Sequence, residues 1–482
     1  MIIALVLIPS ILALAVLFLR RFKIGRAMLI ATAVSHAALT FATWLLPLDT
    51  RILFGVLGLD ELGRLFLTIV SLLFLVASFY GVGYLAHSSR AHASHRTETF
   101  FIVALLFFLS TMTLVTVCQH FELLWVAIEA TTLASAPLIY FHRTKQSLEA
   151  TWKYLMICSF GIAIALLGNF CFSISGAHSG HTSMIFGDLL AYAPFLQIQW
   201  LKAAFILLFV GYATKMGMAP LHTWLPDAHS EAPSLVSALL SGALLNCAFL
   251  GVLRAYQVAQ AAGLTRFLQP VFIGFGLVSM AFAAVFIIRQ TDFKRMLAYS
   301  SVEHMGILLL SVGLGGAAVF GGMLHMIGHS LIKAMLFLVA GNILMAYRTK
   351  STQVVTGLQA ALPVSGTLWF LGLFAITGMP PFGLFTSEFI ILKAALEQNR
   401  PLVAILFLVF LAAIFIGMFS IGLKMLLGKS PEGSTPPLTK EWLWSAGPPV
   451  FLAVLILLLG PHIPPFLSVH LHKVAQLLGG VG

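Results

Sequence analysis

A chain of 482 residues that is 60% hydrophobic and 9% charged, with a mean hydropathy of +1.01, is excluded from the water-soluble globules, in which about a quarter of residues carry charge. Its net charge of +11 would point to nucleic acid in a soluble protein. Here the basic residues fall in short connections between apolar runs, so no nucleic-acid partner is expected and the lipid bilayer is the solvent.

Apolar stretches long enough to cross a bilayer recur along the chain near 3–20, 27–46, 64–87, 98–118, 121–141, 150–174, 199–219, 232–254, 268–289, 297–315, 320–346, 364–393, 401–424 and 447–468. The fold class is therefore all-α, a multi-pass membrane protein of about fourteen transmembrane helices. The first stretch precedes Arg20 and Arg21 without a small-residue cleavage pattern and reads as a retained helix rather than a signal peptide. Alternate connections carry the bases, among them Arg20/Arg21/Lys23/Arg26, Arg90/Arg96, Arg143/Lys145, Arg289/Lys294/Arg295, Arg348/Lys350 and Lys424/Lys429/Lys440. The positive-inside rule then places both termini outside the cytoplasm, in a prokaryotic-type plasma (inner) membrane. The longest polar connections, near 175–198 and 425–445, are too short for a soluble domain.

Two spans are interrupted. The seventh runs into Lys215-Met-Gly-Met-Ala-Pro220-Leu-His222-Thr-Trp-Leu-Pro226-Asp-Ala-His229, and the twelfth into Thr377-Gly378-Met379-Pro380-Pro381-Phe-Gly383. Broken helices at matching places in two halves point to inverted-repeat transporters, because freed backbone groups survive only beside protein or a water-filled cavity. Each break is a candidate ion path.

The strongest functional signal is a set of ionisable residues within apolar spans: Glu129, Lys153, Lys215, Glu303, His304, His325, His329, Lys333, Glu388 and Lys393. A charge at the bilayer centre costs roughly 2.5–3.5 kcal/mol on insertion scales, so such residues face the protein interior and mark ion pathways. Lys215 is the natural partner of Glu129, and a lysine whose protonation depends on a nearby carboxylate is what a switchable proton carrier needs. The alternative is a static ion pair that fixes helix packing. His325, His329 and Lys333 fall at i, i+4 and i+8, on one helix face over about 12 Å, where imidazoles that both accept and donate could hand protons along. Glu388 follows the second break and suits an exit to the external side, or else partners Lys393. His222, Asp227, His229 and Glu231 surround the first break, as half-channel lining or as interfacial groups. His87, His92 and His95 read as a solvated loop.

The four cysteines, Cys118, Cys158, Cys171 and Cys247, lie singly in apolar runs, without the spacing of a disulfide, iron–sulfur or zinc site. The glycines at 313–316 and 478–482 follow no strand, so no nucleotide loop is expected. The chain is read as carrying no cofactor and no metal.

The segments KMGMAPLHTWLPDAHSEAP (215–233) and DFKRMLAYSSVEHMG (292–306) closely resemble the antiporter-like proton-pumping subunits of respiratory complex I, multisubunit sodium/proton antiporters and energy-converting hydrogenases, over roughly residues 60–425. Glu129-Ala-Thr-Thr-Leu-Ala-Ser-Ala-Pro-Leu-Ile-Tyr and the Glu303-His304 pair look most like the F subunit of hydrogenase-4 and formate hydrogenlyase-type complexes. The resemblance implies two inverted five-helix repeats with discontinuous helices seven and twelve: N-terminal helices in 1–97, a first repeat in 98–260, a second in 261–425, and a last helix with its tail in 426–482.

Carried over by position, Glu129 and Lys215 match the family's coupling pair, Lys333 with its histidines resembles the central relay, and Glu388 the terminal carboxylate. Lys153, His222, His229, Asn246, Glu303, His304 and Lys393 are accessory candidates. One departure matters: many relatives have a lysine in the eighth span, where this chain has Leu244-Leu245-Asn246, and an asparagine cannot take up a proton. The implied function is a proton-translocating subunit whose partners, other membrane-arm and peripheral redox subunits, carry the hydrogenase, formate, quinone or NADH chemistry. A sodium/proton antiporter subunit and a non-conducting scaffold are the alternatives.

Overall fold

The computed structural model describes residues 1–19, 21–46, 52–90, 95–177, 180–428 and 441–480. Apart from isolated bridges such as that between Asp292 and Ser351, regular structure among them is helical. In hydrocarbon no water satisfies backbone N–H and C=O groups, so a spanning segment must satisfy them within itself. Eleven of the described helices are long and apolar enough to cross a membrane. The chain is thus a multi-pass, all-helical membrane protein. The other expected spans appear as shorter or interrupted elements: Ile198–Met216, the pair Pro363–Ile376 and Gly383–Glu397, and Leu443–Leu459.

The chain packs as two compact units, one of Met1–Ser78, Ser88–Gly217 and Ala243–Val271, the other of Phe79–His87, Met218–Gly242 and Phe272–Gly482. The first contains α1 (Ile2–Leu19), α2 (Phe22–Leu45), most of α3 (Glu61–Arg90), α4 (His95–Val117), α5 (Phe121–Ile139), α6 (Lys145–Ala177), α7 (Phe186–Tyr192), α8 (Ile198–Met216) and, later in the chain, α11 (Leu245–Ala261). Between α8 and α11 the chain forms α9 (Trp224–Glu231) and α10 (Ser234–Leu239), which belong to the second unit.

Close packing in the first unit rests on small residues. A Cβ built on Gly161 of α6 would lie 2.8 Å from the Thr214 Cβ of α8, one on Gly168 2.8 Å from the Leu208 Cγ, and one on Gly211 of α8 2.5 Å from the Gly161 carbonyl oxygen. Because lipid tails are as apolar as the helices, association in a membrane depends on such backbone approach. It brings the end of α8, where Lys215 sits, against Tyr154 of α6. The unit is further tied by Arg254 of α11, whose Nη1 and Nη2 donate to both carboxylate oxygens of Asp60 at 2.6 and 2.7 Å, and by Arg26, which grips Glu98 at 2.6 and 2.9 Å.

The second unit is built from most of α12 (Thr265–Ile287) with α13 (Phe293–Leu314), α14 (Ala317–Tyr347), α15 (Leu358–Ala361), α16 (Pro363–Ile376), α17 (Gly383–Glu397), α18 (Pro401–Leu427), α19 (Leu443–Leu459) and α20 (Pro465–Leu477). Asp292 caps α13 by accepting from the backbone N–H groups of Lys294 and Arg295, which supplies partners for donors every helix start leaves open. Gly276 and Gly306 repeat the glycine device between α12 and α13, where a Cβ on either would come 2.7 Å from the other's carbonyl oxygen. Asn342 of α14 accepts from the Tyr80 hydroxyl at 3.1 Å and donates to Ser365 Oγ and the Ser445 carbonyl at 3.0 Å. The unit's middle is α13, which is buried along its length.

Both interruptions expected from the sequence are present. Helix α8 stops at Gly217, left-handed at φ 81°, and helix resumes at Trp224. Helix α16 stops before Gly378, at φ 66°, and α17 begins at Gly383. Only glycine enters that region without steric cost, and proline withholds an N–H, so Gly217 with Pro220, and Gly378 with Pro380 and Pro381, stop each helix.

Replacing Gly211 by leucine is expected to force α6 and α8 apart, destabilising the first unit by about 1–3 kcal/mol. The check is a lower thermal midpoint of the purified complex, with Gly211→Ala the milder of the two.

Candidate functional site

In the first unit, α8 ends with Lys215 99% buried. Its Nζ donates to Thr132 Oγ1 of α5 at 2.5 Å and to the Tyr154 hydroxyl of α6 at 2.8 Å, and lies 4.8 Å from the Tyr154 ring centre. Thr132 in turn donates to Glu129 Oε2 at 3.0 Å, while Ser159 donates to Glu129 Oε1 at 2.6 Å. Thr132 lies one turn of α5 beyond Glu129, and among the described residues no ion pair joins Glu129 to Lys215. They are joined by the hydroxyl of Thr132, which accepts from the amine and donates to the carboxylate. The sequence reading anticipated a direct pair; the structure interposes one O–H.

That hydroxyl matters chemically. Each of its two bonds runs in the amine-to-carboxylate direction, so a proton leaving the amine and one arriving at the carboxylate can be relayed by a single O–H rearrangement. Tyr154 extends the network to Ser135 Oγ at 2.6 Å. Asn246 of α11 is also buried.

In the second unit α13 and α14 present facing rows. On α14, His325, His329 and Lys333 are fully buried, as their four-residue spacing places them on one face. On α13, Leu297, Ser300 and His304 stand opposite. Lys333 Nζ donates to the Leu297 carbonyl and to Ser300 Oγ, both at 2.6 Å. No carboxylate among the described residues lies within ion-pair distance of it. His304 Nδ1 and His325 Nε2 are 2.9 Å apart, and His325 Nδ1 is 2.9 Å from Ser387 Oγ of α17. His329 lies with its ring centre 5.0 Å from that of His304, and neither of its ring nitrogens has a hydrogen-bond partner among the described residues.

The row Ser387–His325–His304 is compatible with two polarities. In one, Ser387 donates to the Leu384 carbonyl at 2.8 Å, His325 Nδ1 donates to Ser387, and His304 Nδ1 donates to His325, leaving His304 Nε2 as a bare lone pair. In the other, Ser387 turns from the Leu384 carbonyl to donate to His325 Nδ1, His325 Nε2 donates to His304 Nδ1, and His304 Nε2 carries the proton. A row of neutral imidazoles that can be written both ways can carry a proton between its ends.

The second break supplies the carboxylate. Glu388 of α17 is buried, with Oε1 lacking a partner among the described residues, and its carboxylate packs so tightly on Gly378 that a Cβ there would collide with Oε2. Gly378 is itself partly exposed. Glu303, next to His304 on α13, is buried as well, and its Oε2 has no partner among the described residues.

Several expected residues stand elsewhere. Lys153 and Lys393 are corrected: their side chains are 46% and 64% exposed and pair along their own helices with Glu149 and Glu397, so neither belongs to a buried relay. Helices apolar all round give no phase from which to read which face a lysine occupies, and long lysine side chains reach outward from apolar faces. Asp227 and Glu231 are held in ion pairs with Arg295 at 2.6 Å and Lys350 at 2.7 Å. His222 is buried with its ring edge-on to Phe282 and Tyr299, and His229 is buried and stacked on Phe337.

Lys294, which the sequence reading counted among the cytoplasmic bases, is buried and donates to the carbonyls of Ser230 and Ala232 at the carboxyl end of α9, where a cation complements the helix dipole. Of the loop histidines, His92 and the side chains of His87 and His95 lie outside the described residues. The sequence reading missed Thr132, Tyr154, Ser159, Ser300 and Ser387, whose only signal is their helical register with the charged residues.

Comparison with known proteins agrees with this architecture. Residues 118–416 match the family described as NADH:quinone oxidoreductase/Mrp antiporter, TM. A hydrogenase-4 component F homolog from Methylacidiphilum infernorum is 36% identical over 412 residues, covering 84% of this chain and 85% of that protein. Among solved structures, the chain superposes with a TM-score of 0.86 on a chain of an archaeal membrane-bound sulfane sulfur reductase, at 20% identity, covering 99% of this chain and 98% of that one. It superposes with a TM-score of 0.83 on a chain of respiratory complex I from Thermus thermophilus, at 23% identity and full coverage of both.

If the Thr132 hydroxyl is the bridge, Thr132→Val, which keeps the shape but removes the O–H, should slow proton translocation by roughly two orders of magnitude without loss of assembly, and Thr132→Ser should restore it. Gly378→Ala should likewise slow translocation by displacing the Glu388 carboxylate. Proton uptake into vesicles at matched redox turnover checks both.

Proposed function

The chain belongs to the NADH:quinone oxidoreductase/Mrp antiporter membrane family, and from that membership we propose that it is the proton-translocating subunit of a redox-driven membrane complex of the energy-converting hydrogenase or complex I type. The observation that carries the reading is the hydroxyl-bridged contact of Lys215 with Glu129 through Thr132. A buried amine held by neutral oxygens, with a carboxylate one O–H away, is equipped to change its protonation when that carboxylate's environment changes. A static packing pair would instead be expected to close directly, amine on carboxylate.

On this reading Glu129 sets the state of Lys215. The proton is then handled by the second unit's buried groups, His329, His304, His325 and Lys333, and leaves by Glu388 beside the second break. Redox chemistry stays with partner subunits of the membrane arm and the peripheral arm. The bases in alternate connections favour both termini outside, in a prokaryotic-type plasma (inner) membrane, and the two interrupted helices fit a pair of inverted repeats over 98–260 and 261–425. Asn246 removes one titratable step, so the path relies on the imidazoles.

The test is proton uptake into vesicles containing the purified complex, wild type against Lys215→Ala, at matched redox turnover and with sodium varied. Uptake should fall by at least roughly tenfold in the variant and be indifferent to sodium. Unchanged uptake would overturn the pathway in favour of a scaffold, and dependence on sodium would favour the exchanger.

A further inference from the structure

One ring nitrogen each from His304 and His325 and a carboxylate oxygen of Glu388 lie within 4.8 Å of one another, all three side chains being buried. We infer that these three residues form a binding site for a divalent transition-metal ion of the zinc class, and that its occupancy stops proton transfer through the second unit. The second half of this statement rests on the function proposed above; the first does not.

The donor set fits. Two imidazoles and one carboxylate are the ligands of an open three-protein-ligand zinc site, with a position left for water, and the imidazoles favour a borderline ion over magnesium or calcium. The ring nitrogens at 2.9 Å need to open only slightly to reach the spacing of about 3.3 Å that tetrahedral Zn–N bonds of about 2.0–2.1 Å require.

The remaining partners suit ligands too. His325 Nδ1 has Ser387 Oγ at 2.9 Å, the outer hydrogen bond that fixes a ligating imidazole's tautomer and direction. Glu388 Oε1 has no hydrogen-bond partner among the described residues, so the trio holds unused lone pairs in a dry interior, where such an atom is costly. Glu388 also abuts the partly exposed Gly378, which gives an ion a short way in.

Blocking follows from the same atoms. A metal at the trio would take the lone pairs that the proton row uses and would insert a double positive charge beside it. Its charge would repel a proton held on Lys333, two turns past His325 on α14.

The experiment uses the purified complex titrated with Co2+, followed by visible absorption, together with vesicle proton uptake in the presence of Zn2+. Wild type should develop the bands of tetrahedral Co2+. His325→Gln and Glu388→Gln, in assembled complex, should lose them, and Ser387→Ala should bind roughly 10- to 100-fold more weakly. Lys215→Ala should bind like wild type while failing to pump, which separates metal binding from the transport reading. Zn2+ should abolish wild-type uptake over the concentration range in which it displaces Co2+. Bands absent from wild type, or unchanged in both His325→Gln and Glu388→Gln, would overturn the site, and Co2+ displaced by Zn2+ without loss of uptake would overturn the block.

Discussion

Two buried lysines of the proposed relay, Lys215 and Lys333, have no carboxylate within ion-pair distance among the described residues. Much of the surrounding structure answers to that. Burying an unpaired charge is costly, and here the cost is met with dipoles: Thr132 and Tyr154 around one amine, the Leu297 carbonyl and Ser300 around the other. Hydroxyls and carbonyls serve the amine in either protonation state, whereas a close carboxylate would hold it as the ammonium. The glycine-lined approach of α6 to α8 is what brings the hydroxyls near enough.

Much of the fold was legible because lipid imposes few options. Apolar runs of spanning length and Gly and Pro interruptions have one physical reading each, and the breaks at Gly217 and Gly378 appear where the residues place them. The four-residue spacing of His325, His329 and Lys333 likewise puts them on one face. What was not legible depends on rotation about a helix axis and on the partner helix. Lys153 and Lys393 sit in apolar runs that look buried from every side, yet they point outward. Lys294 looks like a loop base and is buried. Thr132, Ser300 and Ser387 were overlooked because a helical hydroxyl usually bonds back to its own backbone, as Ser387 also does; only the tertiary structure shows what else it meets.

The two units solve the same problem with different groups. The first joins a lysine to a carboxylate through one hydroxyl, and its acid is half-buried. The second uses imidazoles, and its acids, Glu303 and Glu388, are buried with unused oxygens.

As a proton path of the kind proposed, the row Ser387–His325–His304 would have a memory. Once a proton has run its length, each bond points the other way, and a second proton cannot follow in the same direction until two packed imidazoles and a hydroxyl have turned back. Such a row acts as a turnstile rather than a pipe. Its rate ceiling would then be set by ring reorientation between α13 and α14.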